Sequence, residues 1–295
     1  MRVLSLMIFV CFLQACGQDA VNAINQSNTQ NDSISEIDTT MAIQMINPDG
    51  TTIATRFNPP KGFLRTNELQ DSFGRYLRNL TLKEHGAEVK LYNGDTKSNY
   101  RVYDAVVDLP IGTKNLHQCA DAIIRLRAEY LWKNEAFEKI HFNFTNGFRV
   151  NYSEWMKGKR ISVQGNQVRW VNRNSPSNTS QDLWNYLELI FNYAGTLSLS
   201  KEMKPKDISE VKIGDIFIQG GSPGHAIIVV DMAYHPNTNE KLFLLAQSYM
   251  PAQEIQILQN PSNGEISPWY STDFENSLST PEWTFEKTEL KGFSN

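Results

Sequence analysis

Apolar residues recur every three or four positions in three stretches of this chain and bunch into short runs in its last third. Phe73, Tyr76, Leu77 and Leu80 share one face of a helix predicted within 69–80. Leu116–Trp132 predicts a longer amphipathic helix, with Ile123, Leu126 and Tyr130 on the face that also holds Cys119. Asn115 followed by Gln118 fits an N-cap and its capping-box partner. A third helix opens at Ser180, carries Leu183, Trp184, Leu187, Ile190 and Phe191, and stops at Gly195. Glu88–Tyr92 and Arg101–Leu109 read as strands around an Asn93-Gly94-Asp95 turn. Lys139–Phe144 alternates like a strand and runs into an Asn146-Gly147 turn. Gly214–Gln219, His225–Met232 and Leu242–Tyr249 are three apolar strands in a row, and no internal repeat is present. The mixture predicts an α+β fold.

The ends of the pattern assign the domains. Arg2 and the apolar run Val3–Leu13 have the form of a secretory signal, too short to span a bilayer. It ends Leu13-Gln14-Ala15-Cys16, which resembles a bacterial lipobox, so residues 1–15 read as a lipoprotein signal peptide and Cys16 as the lipidated mature N-terminus. Acyl chains (palmitate among them) on Cys16 would anchor the protein to a membrane. Residues 16–42 are rich in Asn, Gln, Ser, Thr and Asp and read as a flexible tether. Residues 43–295 read as one globular body, entered through Asn58-Pro59-Pro60-Lys61-Gly62.

Composition narrows the function classes. The 295 residues carry 28 Lys+Arg against 32 Asp+Glu, a net charge of −4, which lacks the basic surplus of a nucleic-acid binder. The 40% hydrophobic content suits a packed core. Five histidines (His85, His117, His141, His225, His235) show no metal-ligand spacing, so neither a metal nor a cofactor is expected. His117, two residues before Cys119, is expected to face solvent or a cap. Trp155, Trp170, Trp269, Tyr270 and Trp283 read as packing residues ahead of sugar-stacking ones. With Cys11 removed and Cys16 acylated, Cys119 is the one thiol left in the mature chain. Such a cysteine is a small buried hydrophobe or a reactive group.

Its surroundings favour chemistry. Cys119 falls in the first turn of its helix, where the positive dipole end is expected to lower a thiol pKa. Gly220-Gly221-Ser222-Pro223-Gly224 is a loop that delivers His225 to the mouth of a strand, accessible to a ligand. If Asp231 pairs with Lys241, Gln247 lies opposite His225 and can hold one imidazole tautomer; a shifted register brings Ser248 or Tyr249 instead. Asp231 is a further candidate for the orienting group.

At these residues the chain resembles the papain-like cell-wall hydrolases of the NlpC and CHAP types. Gln118-Cys119-Ala120-Asp121 opens a helix, Ile213-Gly214-Asp215-Ile216-Phe217-Ile218 is a Gly-Asp strand, Gly224-His225-Ala226-Ile227-Ile228 opens the next, and Gln247 follows. Ala120-Asp121 stands where those families commonly carry Ser-Gly. The resemblance spans roughly 116–249. It implies a papain-like antiparallel sheet with the Cys119 helix packed against it, plus an N-terminal α/β extension. It implies Cys119 as nucleophile, His225 as base, Gln247 as orienting group, and Gln118, Ser222, Gly224 and Ser248 as candidate binding residues. Across 118–132, 141–148, 194–201, 214–232 and 244–255 the chain resembles a family of uncharacterised bacterial lipoproteins of about this length.

Two functions are expected from these readings. One is a thiol amidase or peptidase acting on peptide or cell-wall amide bonds in the envelope of a Gram-negative bacterium. The other is a non-catalytic envelope lipoprotein that binds a glycan, peptide or protein partner on the same frame.

Overall fold

The computed structural model describes residues 44–294; the segments expected to be a signal peptide and a tether, with Cys16, lie outside the described residues. The fold is α+β around one large antiparallel sheet. Its strands run in the order Tyr103–Val106, Gln256–Leu258, Lys241–Gln247, His225–Tyr234, Ile216–Gln219, Leu290–Gly292 and Lys204–Pro205. Short strands at Leu64–Arg65 and Tyr270–Ser271 add to the His225 and Gln247 strands. Two-stranded hairpins stand outside it, among them His141–Asn143 with Arg149–Asn151 and Lys159–Gln164 with Gln167–Asn172.

The strand His225–Tyr234 is buried from His225 to Ala233, which requires cover on both faces. The helix Cys119–Lys133 packs against this strand. An aromatic stack, Phe217 on Phe243 at 6.0 Å and Phe243 on Tyr270 at 5.9 Å, fills out the sheet's core. Asp231 interrupts the apolar run with no exposed surface at all. It survives there because Arg78 Nε reaches it at 2.6 Å and Arg65 Nε at 2.8 Å. Arg78 ends the short helix Phe73–Arg78 and also donates to Thr66 O at 2.7 Å, so this cluster ties the N-terminal segment to the sheet. Asp231 is therefore a staple and not the orienting group.

Several local expectations are corrected. The 69–80 helix shortens to Phe73–Arg78, capped by Ser72, whose hydroxyl accepts from Arg75 N at 3.0 Å. Segments 88–92 and 101–109 do not form a hairpin: Tyr103–Val106 pairs with Gln256–Leu258, while Lys90 and Leu91 make only isolated bridges to Thr96 and Gln253. The third helix, Ser180–Tyr193, is capped by Thr179, not Ser180, and a further helix, Thr196–Glu202, follows Gly195 at once. Trp155, Trp269 and Tyr270 are core residues, as their packing role required.

The strand register also moves. Asp231 faces Leu244, and Lys241 faces Tyr234; a bulge between Leu244 and Leu245 then sets Leu245 against Val229 and Ala246 against Ile228. Extending the ladder by one residue sets Gln247 opposite Ile227, two residues from the expected His225. The offset from the expected register is three residues before the bulge and two after it; past the bulge the offset is even, so Gln247 stays on its expected face and still meets His225.

Removing the carboxylate while both arginines remain leaves Arg78 buried and unpaired. Asp231→Ala is expected to lower unfolding free energy by about 3–5 kcal/mol in urea titrations. A loss under about 1 kcal/mol, the scale of an ordinary surface change, would show that the cluster carries little of the stability.

Candidate functional site

Cys119 is the first residue of its helix, and its position is set by the turn before it. Gln118 is the N-cap, and Asp121, not Asn115, completes the cap: its Oδ2 accepts from Gln118 N at 3.0 Å. Asn115 Oδ1 instead holds Ala252 N at 2.8 Å and Gln118 Nε2 at 3.3 Å. Cys119 is 7% exposed, and the main-chain N–H groups of Ala120, Ala226 and Cys119 itself face its sulfur. It therefore meets the His225 strand at the residue after the histidine. Among the described residues no hydrogen bond joins Sγ to the imidazole.

His225 is 1% exposed, so the accessible histidine expected at the strand mouth is corrected to a buried one. Its Nε2 lies 2.8 Å from Gln247 Oε1. Tyr249 packs edge-on against the ring at 4.8 Å, with Trp283 at 5.4 Å and Phe285 at 5.9 Å. Gln247 Nε2 donates in turn to Glu282 Oε2 at 2.7 Å. Lys97 Nζ donates to both oxygens of Glu282 at 2.9 Å and to Gln253 Oε1 at 3.0 Å. Glu282 and Lys97 carry no sequence signal that links them to His225, because they reach the site from segments 185 residues apart.

Burial sets the protonation states. It pushes the Cys119 thiol up to about 11, aided by Asp121, against the pull of the three surrounding N–H groups. The expected lowering by the helix dipole is overturned because desolvation of a nearly closed site disfavours the thiolate more than the dipole favours it. Burial also lowers His225 to about 4, against the opposing effect of the bond to Gln247. Asp121 is pushed up to about 8 by burial, and its Oδ1 has no hydrogen-bond partner. At neutral pH the site is thus an uncharged thiol, an uncharged imidazole and a protonated carboxyl.

A cleft of about 420 Å³ opens beside Cys119. Its walls are the start of the Cys119 helix, the loop 220–224, the turn Ala194–Leu197 and Met250. Gln118, Ser222 and Gly224 line it. Gly224 is needed for closure: a Cβ there would sit 2.6 Å from both Gly221 O and Thr196 Oγ1. Cys119 and Asp121 are the cleft's ionisable side chains, so no basic group is present to select an anionic ligand. Ser248 is not a lining residue. It is fully buried, and its hydroxyl sits 2.9 Å from His117 O and 2.7 Å from Gln253 O, bracing the segment that leads into Cys119. His117 is also fully buried rather than solvent-facing, and burial drives it down to about 3. Among the described residues no group of three or more His, Cys, Asp or Glu side chains could hold a metal.

The molecule is thus an α+β protein with a buried His–Gln pair at the mouth of one sheet strand, and a buried Cys that opens the helix packed against that strand and lines a cleft. The chain belongs to the family described as domain of unknown function (4846), whose model matches residues 53–292. No curated protein and no solved structure matches it.

The raised Asp121 carboxyl fixes a pH dependence. The folded state holds its proton to about 8, whereas the unfolded chain loses it near 3.8, so this contribution to stability falls as pH rises between those values. Asp121→Asn keeps an acceptor for Gln118 N and cannot ionise. Thermal unfolding should find it more stable than the parent at pH 8–9 and unchanged near pH 3. Equal curves at both ends would mean that Asp121 is already ionised in the fold.

Proposed function

We propose that this protein is a lipid-anchored, papain-like thiol hydrolase of the bacterial cell envelope, acting on peptide or cell-wall amide bonds. The observation that carries the reading is the 2.8 Å contact of His225 Nε2 with Gln247 Oε1. It leaves Nδ1 bare as the base, at the strand mouth where the Cys119 helix begins and the cleft opens. In this reading Sγ attacks the amide carbon while Nδ1 takes the thiol proton. The N–H groups around the sulfur stabilise the oxyanion. The imidazolium then protonates the departing amine, leaving a thioester on Cys119. Water, deprotonated by the same nitrogen, releases the acid and restores the thiol.

The resting protein is not primed for this. Moving a proton from a thiol near 11 to an imidazole near 4 is uphill by on the order of 10 kcal/mol. Substrate entering the cleft must open a path between the two groups and solvate the charge that forms. The buried thiol favours a second reading, in which the same frame binds a glycan, peptide or protein partner without chemistry.

A peptide carrying a cysteine-reactive electrophile separates them. The hydrolase reading expects it to label Cys119 at pH 7 faster than iodoacetamide by roughly 100-fold, an advantage lost in His225→Ala. Muropeptides incubated with the wild-type chain should yield new amino termini by mass spectrometry, and with Cys119→Ala none. A thiol inert to the peptide probe until the protein is denatured would end the hydrolase reading and leave the binding one.

A further inference from the structure

The polar chain beyond Gln247 has a direction that its chemistry alone dictates. A lysine ammonium has only hydrogens to offer, and Lys97 spends them on Glu282 Oε1, Glu282 Oε2 and Gln253 Oε1. A carboxylate has only lone pairs, so Glu282 can accept from Gln247 but give it nothing. The Gln247 side chain must therefore turn its NH₂ to Glu282, at 2.7 Å, and its carbonyl to His225, at 2.8 Å. A carbonyl oxygen accepts, so the proton sits on Nε2 and Nδ1 is bare.

We propose that Glu282 and Lys97 are positioning residues that write the Nε2–H tautomer of His225 through Gln247. The ion pair does not touch the ring. It acts by forbidding the amide flip that would put an NH₂ against Nε2 and force the proton to Nδ1. The setting makes that control effective. Side-chain exposure is 6% at Lys97 and 12% at Glu282, so water cannot substitute for either partner. Tyr249 caps the same spot, with Lys97 Nζ 5.3 Å from its ring centre while its edge meets His225. Gln253 Oε1 also accepts from Gln256 Nε2 at 3.0 Å, which holds the far end of the ammonium in place. The consequence for catalysis rests on the hydrolase reading, since a base at Nδ1 exists only in this tautomer; the tautomer itself does not.

The test is the ¹⁵N spectrum of the imidazole in the full chain, with His225 assigned by substitution. The wild type should show a protonated Nε2 and a bare Nδ1 at pH 7; a proton on Nδ1 overturns the proposal without any variant. Glu282→Leu combined with Lys97→Met removes the ion pair without stranding a buried charge. It should give a mixed or reversed tautomer in a protein that retains its circular dichroism. Glu282→Gln, whose carbonyl can still accept from Gln247, should retain the wild-type form. Peptide-electrophile labelling of Cys119 should fall by roughly 10–100-fold in the double variant and recover in Glu282→Gln. A wild-type tautomer in the folded double variant refutes the proposal. A tautomer that shifts as expected while Cys119 ignores the probe in every form upholds it and removes the hydrolase reading instead.

Discussion

A strand covered on both faces accepts a polar side chain only where a partner is built for it, because an unpaired polar group in such a place costs more than most single contacts return. The His225–Tyr234 strand carries two such residues near its opposite ends, and much of the surrounding structure answers them. Asp231 draws in Arg65 and Arg78, and with them the N-terminal segment. His225 draws in Gln247, then Glu282, then Lys97, and so the hairpin of Ser277–Ser279 with Thr284–Glu286 and the loop after Leu91. The apolar core supplies the burial; these two polar demands decide which distant segments converge on which end of the strand.

The same burial governs the chemistry. Thiol, imidazole and Asp121 carboxyl all hold their uncharged forms at neutral pH, and each does so for one reason, the scarcity of water around it. A site of this kind is quiet at rest. Burial of this depth also shields the thiol from incidental oxidation.

Much of this was legible in the sequence, and the failures have identifiable causes. The Cys119 helix, the three apolar strands and the pairing of His225 with Gln247 follow from periodicity and alternation. Gln247 meets His225 although the register differs from the expected one, because past the bulge the offset is even and face is conserved under an even slip. Glu282 and Lys97 were illegible: a single carboxylate and a single lysine in polar loops look like solvated surface, and only the folded topology brings them under a histidine. The strands at 256–258 and 290–292 are three residues each, too short to show a period. The raised thiol is illegible because a helix start is visible in sequence, whereas depth is not.

The pairing of Leu290–Gly292 with the Ile216–Gln219 strand reaches beyond geometry. Tyr103–Val106 likewise waits for Gln256–Leu258 before it has a neighbour. Contacts this far apart in the chain close late, since each must first overcome the entropy of a long loop. The sheet is therefore completed by a segment far along the chain from the strand that it covers. A polypeptide interrupted before Leu290 would present Ile216, Phe217 and Ile218 on an open edge, with free backbone groups ready to pair with a second copy. The Leu290–Gly292 strand is thus a guard against self-association as much as a part of the scaffold.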